Sequence, residues 1–167
     1  NVTDVINEER IRAIPYDIPI VGFSFDNNFS VATLRLWSTK ESPRNFQLQS
    51  FNSGHLDQAA ENIALTDILY PNDNNETGKR IRLKQEFLLV AASLQDIVKE
   101  YKEHNENFDD FCDKVRIQIN DTHPALAVVE LYRLLNKQKG ISPETAWEMT
   151  KTTISYTNHT VLREALE

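Results

Sequence analysis

Two short polar runs hold the residues best suited to chemistry. Asn120, Asp121, Thr122 and His123 directly follow KVRIQI (114–119), and Asn158, His159 and Thr160 directly follow TISYT (153–157). Each run places Asn and His at the end of a β-rich stretch, a mixture of fixed donors and acceptors that suits a neutral, hydroxyl-rich ligand. A buried hydroxyl left unpaired costs about 1–3 kcal/mol, so such a ligand needs that mixture. On residue types alone three uses stay open. Asp121 or Thr122 can cap a helix begun at Pro124, and Asn158 or Thr160 can cap the next one. Asp121, His123 and His159 are also three possible metal ligands, although no H-x-x-x-H spacing or cysteine set accompanies them, and no metal site is expected. The third use is sugar binding.

Elements must hold these runs in place. KVRIQI and TISYT are short runs of strand-forming residues. Between them ALAVVELYRLLNK carries an apolar helical face from Pro124, in the first turn, to Gly140, a stop signal. Ser142 reads as the N-cap of a helix through about Lys151, with Pro143 and Thr145 at its first and third positions. Upstream, Leu83, Phe87, Val90, Leu94, Ile97 and Tyr101 recur at three- and four-residue steps, the stripe of a core-facing helix from about Arg82 to Glu103. Helix, strand and polar loop thus alternate, which implies an α/β fold with parallel strands and crossover helices. Ligands of such sheets bind outside the carboxyl ends of the strands, where both polar runs fall. A further helix is expected after His159.

The first third differs in kind. RIRAIPYDIPIVGF (10–23) and FSVATLRLWS (29–38) read as two strands of a hairpin around the turn-prone Asp26, Asn27 and Asn28. A weak helix is expected at about 55–67, and LYPNDNNETGK (69–79) reads as a polar loop in which Pro71 stops helix continuation.

Composition bounds the class. The chain has 167 residues, 40% hydrophobic and 26% charged, with four Gly and six Pro, which fits a folded domain and excludes disordered and fibrous classes. A net charge of −7 argues against a phosphate-backbone binder, so no nucleic-acid partner is expected. No run of 18 apolar residues is present, and no membrane partner is expected. Cys112 is the single cysteine; with no disulfide possible, a reducing, cytoplasmic location is expected, and its side chain reads as a small apolar group near a strand start. Five N-x-[S/T] sequons, at Asn1, Asn28, Asn75, Asn120 and Asn158, match the glycosylation signal by chance length rather than by context. The sequence reads as a piece of something longer.

LYPNDN (69–74), RLKQE (82–86), NDTHPALA (120–127) and YTNHTVL (156–162), in this order and at these separations, resemble the α-glucan (glycogen, starch or maltodextrin) phosphorylases; RAIPYDIPIVG (12–22) and TLRLWS (33–38) resemble the preceding strands of that family. The resemblance covers essentially the whole chain. It implies an internal segment of the N-terminal domain, part of a Rossmann-like (GT-B type) α/β domain with an N-terminal β-hairpin region. Residues 1–50 would be β-rich, 51–80 a short dimer-contact helix and active-site gate, and 81–167 the helix/strand region. It also implies a homodimeric parent that uses pyridoxal 5'-phosphate and inorganic phosphate to release glucose 1-phosphate from an α-1,4-glucan with retained configuration. Asn72, Asp73 and Asn74 would form the gate, with Asn74 on the glucose 2-hydroxyl. His159 would donate to the 6-hydroxyl and offer its carbonyl to the anomeric carbon. Asp121 and His123 would line the same pocket, supported by Thr160 and Glu167. The cofactor lysine and the phosphate-holding basic residues have no match among these 167 residues, so this chain by itself is expected to be inactive.

Departures from the family pattern carry expectations of their own. Lys99 and Glu100 stand where animal enzymes hold an arginine pair for the AMP phosphate, which implies no AMP activation. Asn75 and Glu76 stand where the animal enzymes carry two aromatic residues that stack purine-like inhibitors, which implies weak or absent inhibition of that kind. The region 51–63 is about four residues shorter than the animal pattern by resemblance, and Arg163 stands where proline is usual. A non-catalytic carbohydrate-binding or interaction domain is the alternative, since every assigned residue contacts sugar; a retaining hydrolase lacks its carboxylate pair.

Overall fold

The structure is a computed structural model, and it describes residues 11–22, 30–39, 65–69 and 71–161. The chain divides into two compact units, residues 1–82 and 83–167. In the first unit, β1 (Ile14–Val21) pairs antiparallel with β2 (Val31–Ser38), so the expected hairpin forms. Opposite residues Asp17 and Arg35 lock the register through two hydrogen bonds, Nε to Oδ1 at 2.7 Å and the second guanidinium nitrogen to Oδ2 at 2.8 Å. The same guanidinium keeps the Asp17 carboxyl below its ordinary range. Pro15 and Pro19 are compatible with β1 because the bond from Gly22 N to Ser30 O sets the even-numbered β1 residues as the hydrogen-bonded pairs, so neither proline owes β2 an N–H. Of the expected helix at 55–67, residues 65–67 are described and helical; the rest lies outside the described residues.

The long helix α1 (Glu76–His104) begins six residues before the apolar stripe suggested. Asn75 is the reason: its Oδ1 accepts the Gly78 N–H at 2.9 Å, capping a first turn that looks like loop because it is polar and holds a glycine. The polar loop therefore ends at Asn75 and not at Lys79. Asn75 and Glu76 are both committed to this helix start, Glu76 through Lys79 at 3.2 Å.

In the second unit, α2 (Phe111–Lys114), β3 (Ile117–Asn120), α3 (Leu126–Arg133), a π-helical turn (Leu134–Gln138), α4 (Pro143–Thr153) and β4 (Ile154–Thr157) follow in order. Strands β3 and β4 are parallel, in the register Ile117 to Ile154 through Asn120 to Thr157. The mixture of helices, a parallel pair and a hairpin is α/β as expected. Ser142 caps α4 by accepting the Thr145 N–H at 3.2 Å, and α4 runs two residues past Lys151 into β4 without a loop. Gly140 has φ +73°, the left-handed conformation that ends the preceding helix.

Three local expectations change. Pro124 precedes α3 by two residues; bonds from Ala125 N to Thr122 O (3.0 Å) and Ala127 N to Pro124 O (2.9 Å) make a tighter turn before the α-helix starts. Cys112 sits on α2, within 3.7 Å of the Met149 carbonyl and the Thr153 hydroxyl, and not at a strand start. Leu83 and Phe87 are exposed, whereas Leu88, Val90, Ala91, Leu94, Val98 and Tyr101 are buried. Periodicity shows which residues share a face but not where another element covers it.

The core of this unit joins Val90, Leu94, Val98 and Tyr101 of α1 to Phe111, Ile119, Leu131, Leu134, Leu135, Ala146 and Met149. Tyr101 and Phe111 meet edge to face at 5.0 Å. The adjacent Leu134 and Leu135 are both buried across an i to i+5 turn closed by Lys139 N to Leu134 O at 3.1 Å. Leu131 is fully buried, so Leu131→Ala should destabilise the chain by about 2–5 kcal/mol in chemical denaturation. Val129→Ala, at a 65% exposed position two residues away, should stay within about 0.5 kcal/mol.

Candidate functional site

The carboxyl ends of β3 and β4 lie side by side, and the two polar runs leave from them together. Asp121 N donates to Thr157 O at 2.7 Å, adding one rung beyond the last strand pair. Asp121 then turns the chain with φ +62°, the one non-glycine residue with positive φ among the described residues. Asp tolerates this conformation better than most residues because its short side chain bonds to nearby backbone. Here it does: Oδ1 accepts the Thr122 N–H at 2.9 Å. Oδ2 accepts a short hydrogen bond from the Thr160 hydroxyl, and the backbone N–H of His159 also donates to the carboxylate.

Asp121 is thus a buried carboxylate held by uncharged donors from both loops. The Thr160 hydroxyl, then the Thr122 N–H, keep its carboxyl below the ordinary range against the opposing effect of burial; the His159 N–H and the charge of His123 add to this. The helix-capping use of Asp121 does not occur. Ala125 occupies the cap position of α3 without a side-chain bond, because the Asp121 carboxylate is turned toward the second loop.

The second loop is pinned by Asn158, whose Oδ1 accepts Thr160 N and whose Nδ2 donates to Thr160 O, both at 3.1 Å. The exposed His159 ring brings Nε2 to 3.2 Å from Asn120 Oδ1. Gln118 Nε2 braces the strand ends below by donating to Thr157 Oγ1 at 2.6 Å. His123 is exposed on the turn before α3. Asn120, Asp121, Thr160 and His159 are therefore one hydrogen-bonded junction, and His123 borders it. Among the described residues no three of His, Cys, Asp and Glu are placed to hold a metal ion.

In the first unit, Asn72, Asp73 and Asn74 are exposed and locally ordered by their own side chains. Asn72 Oδ1 accepts the Asn74 N–H at 2.9 Å, and Asp73 forms an ion pair with Arg82 of α1 at 2.8 Å. Gly78 lets the loop fold back on the helix: a Cβ there would lie 1.7 Å from the Asn72 carbonyl oxygen. Glu167 lies outside the described residues, as does the helix expected after His159.

The profile of the carbohydrate phosphorylase family matches residues 1–167. The chain belongs to that family. It is 44% identical to glycogen phosphorylase of Chlamydia pneumoniae over 99% of this chain and 20% of that protein. It is 48% identical to the muscle form of glycogen phosphorylase of Ovis aries, over 97% of this chain and 20% of that protein. With α-glucan phosphorylase 1 of Arabidopsis thaliana it shares 46% identity over 97% of the chain and 17% of the relative. The phosphorylase chain thus spans about a fifth of the length of these relatives.

Three residues that hold these two loops carried no assignment in the sequence. Asn120 was visible only as a strand-end polar residue; its facing of His159 needs the parallel register. Arg82 lies in RLKQE and pairs nine residues back, beyond any helical spacing. Gly78 left no signal either, because a glycine in a polar run reads as loop. A lysine that carries pyridoxal phosphate as a Schiff base needs a desolvated setting. Lys79 and Lys99 have side chains 62% and 76% exposed and lie against Glu76 and Glu103, so these lysines do not fit that group.

The lowered Asp121 pKa fixes the sign of a pH effect. A carboxylate depressed by folding stabilises above its unfolded value, about 3.9, and that contribution disappears as pH falls through the lower folded value. Asp121→Asn keeps a residue that tolerates positive φ but removes the charge. Its melting temperature should lie below wild type at pH 7, with the gap closing in scans below about pH 4. A gap unchanged down to pH 3 would show that the charge is not what holds the two loops.

Proposed function

We propose that this chain forms the glucose-side wall and the gate of an α-1,4-glucan phosphorylase, an enzyme that releases glucose 1-phosphate from glucan chains with inorganic phosphate. The observation that carries the reading is the Asp121, Thr160, His159 and Asn120 junction at the carboxyl ends of two parallel strands, in a chain of this family. Such a wall offers a neutral sugar an imidazole, amides and backbone groups already fixed in place, which is what discrimination among hydroxyls requires. The His159 carbonyl would face positive charge developing at the anomeric carbon, an electrostatic role without proton transfer. His123 would border the sugar, and Glu167 would support the loop of His159. Asn74, exposed on a loop tied down by Asn72 and by the Asp73 to Arg82 pair, would reach the 2-hydroxyl.

In this reading the β3–β4 unit belongs to a Rossmann-like, GT-B type domain of a cytoplasmic homodimer. Residues 1–167 act as one segment of its N-terminal catalytic domain, with the short dimer-contact helix within 51–80. Pyridoxal 5'-phosphate would be held by other parts of the parent enzyme. The full-length enzyme should form glucose 1-phosphate from α-1,4-glucan and phosphate, and the isolated 167-residue chain should form none. His159→Ala and Asn74→Ala should each lower kcat/KM about tenfold or more, equivalent to the loss of one well-placed hydrogen bond. Glucan binding by the full-length protein without phosphorolysis would favour the non-catalytic binding domain instead.

Regulation follows from α1. Lys99 lies 3.8 Å from Glu103, and Glu100 is exposed beside it, so this turn presents a carboxylate where a nucleotide phosphate needs a cationic fork. Activity of the full-length enzyme should be unchanged by AMP; a clear rise would overturn this assignment.

A further inference from the structure

We infer that Asn120 is a positioning residue for His159: it fixes the imidazole tautomer, so that the ring meets the ligand with an acceptor nitrogen. This deepens the function proposed above and rests on it. The parallel register brings Asn120 to the end of β3, opposite Thr157, and the chain beyond Thr157 carries the imidazole back over it. Asn120 Oδ1 lies 3.2 Å from His159 Nε2. A carboxamide oxygen only accepts, so the bond requires the proton on Nε2, and the neutral ring then presents Nδ1 as a lone-pair acceptor.

The surroundings keep this arrangement in place. Asn158 bonds to both backbone groups of Thr160, and the Asp121 carboxylate takes the Thr160 hydroxyl and the His159 N–H. The backbone on either side of the imidazole is therefore tied to the β3 loop that carries Asn120. Gln118, two residues before Asn120 on the same strand, holds Thr157 at 2.6 Å. A ring exchange that turned Nε2 away would leave the Asn120 oxygen to find another donor.

The chemical consequence concerns direction. A ring set this way accepts a hydrogen bond from a sugar hydroxyl, the reverse of the donation that the family resemblance implies. The ligand group it selects is a free hydroxyl able to donate. A glucosyl donor with hydrogen or methoxy in place of the 6-hydroxyl cannot satisfy Nδ1. Asn120 then determines specificity without touching the sugar.

The test compares glucose 1-phosphate with its 6-deoxy analogue as donors in glucan synthesis by the full-length enzyme. Wild type should prefer the hydroxyl-bearing donor by about tenfold or more in kcat/KM. Asn120→Leu, which removes the acceptor, should bring kcat/KM for the two donors to within about twofold of each other. Asn120→Asp, which keeps an acceptor, should retain the preference. A Leu variant that slows both donors equally, or changes neither, overturns the inference. Selective 15N labelling of histidine reads the ring directly without substrate, with His159 assigned by its loss in His159→Gln. Protonated Nε2 with bare Nδ1 is expected, and the opposite pattern overturns the inference even if phosphorolysis proceeds. Absence of phosphorolysis would instead defeat the proposed function, and the 15N signal still decides the tautomer.

Discussion

The Asp121 carboxylate is the constraint on which the rest of the site depends. It sits where two parallel strands end, buried, and its donors are a hydroxyl and backbone amides drawn from both loops. A buried anion without that set would be costly, so the second loop is held near the first by the need to solvate it. Its φ of +62° belongs to the same arrangement, because the turn directs the carboxylate toward Thr160 and leaves α3 to begin without a side-chain cap. The position of His159 over Asn120 follows from this tie and from the strand register.

The loop before α1 solves a comparable problem with different means. No carboxylate is buried there; the turn is made by Asn72 bonding to the Asn74 N–H, and the helix start by Asn75 bonding to the Gly78 N–H. Gly78 is needed because the Asn72 carbonyl occupies the space of a side chain. The Asp73 to Arg82 pair joins the turn to the helix but is partly exposed, an arrangement worth little energy and easily exchanged. Such a loop is ordered locally, by short-range side-chain bonds.

The chemistry of the family and the construction of this chain are consistent. On the function proposed above, neutral sugar recognition would call for amides, hydroxyls and imidazole fixed by bonds among themselves, and the strand ends hold such groups. Cofactor chemistry calls for a desolvated lysine, whereas Lys79 and Lys99 are exposed and paired with carboxylates.

Features governed by short-range rules were legible in the residues alone. The hairpin strands, the Ser142 cap, the stop at Gly140, the parallel pair and the family follow from propensity, capping chemistry and four collinear motifs. The sequence misplaced features in which one local signal masks another, as at Asn75, where a polar turn with glycine is the first turn of a helix. It also counted Leu83 and Phe87 as core, because a shared face is a property of spacing while burial is a property of what lies opposite. What Asp121 does with its carboxylate, and which nitrogen of His159 meets Asn120, depend on the folded arrangement of the two strands. Both bonds span 39 residues of chain, and no local preference of either partner encodes them: they exist because a parallel register places two strand ends together and a buried charge must be solvated there.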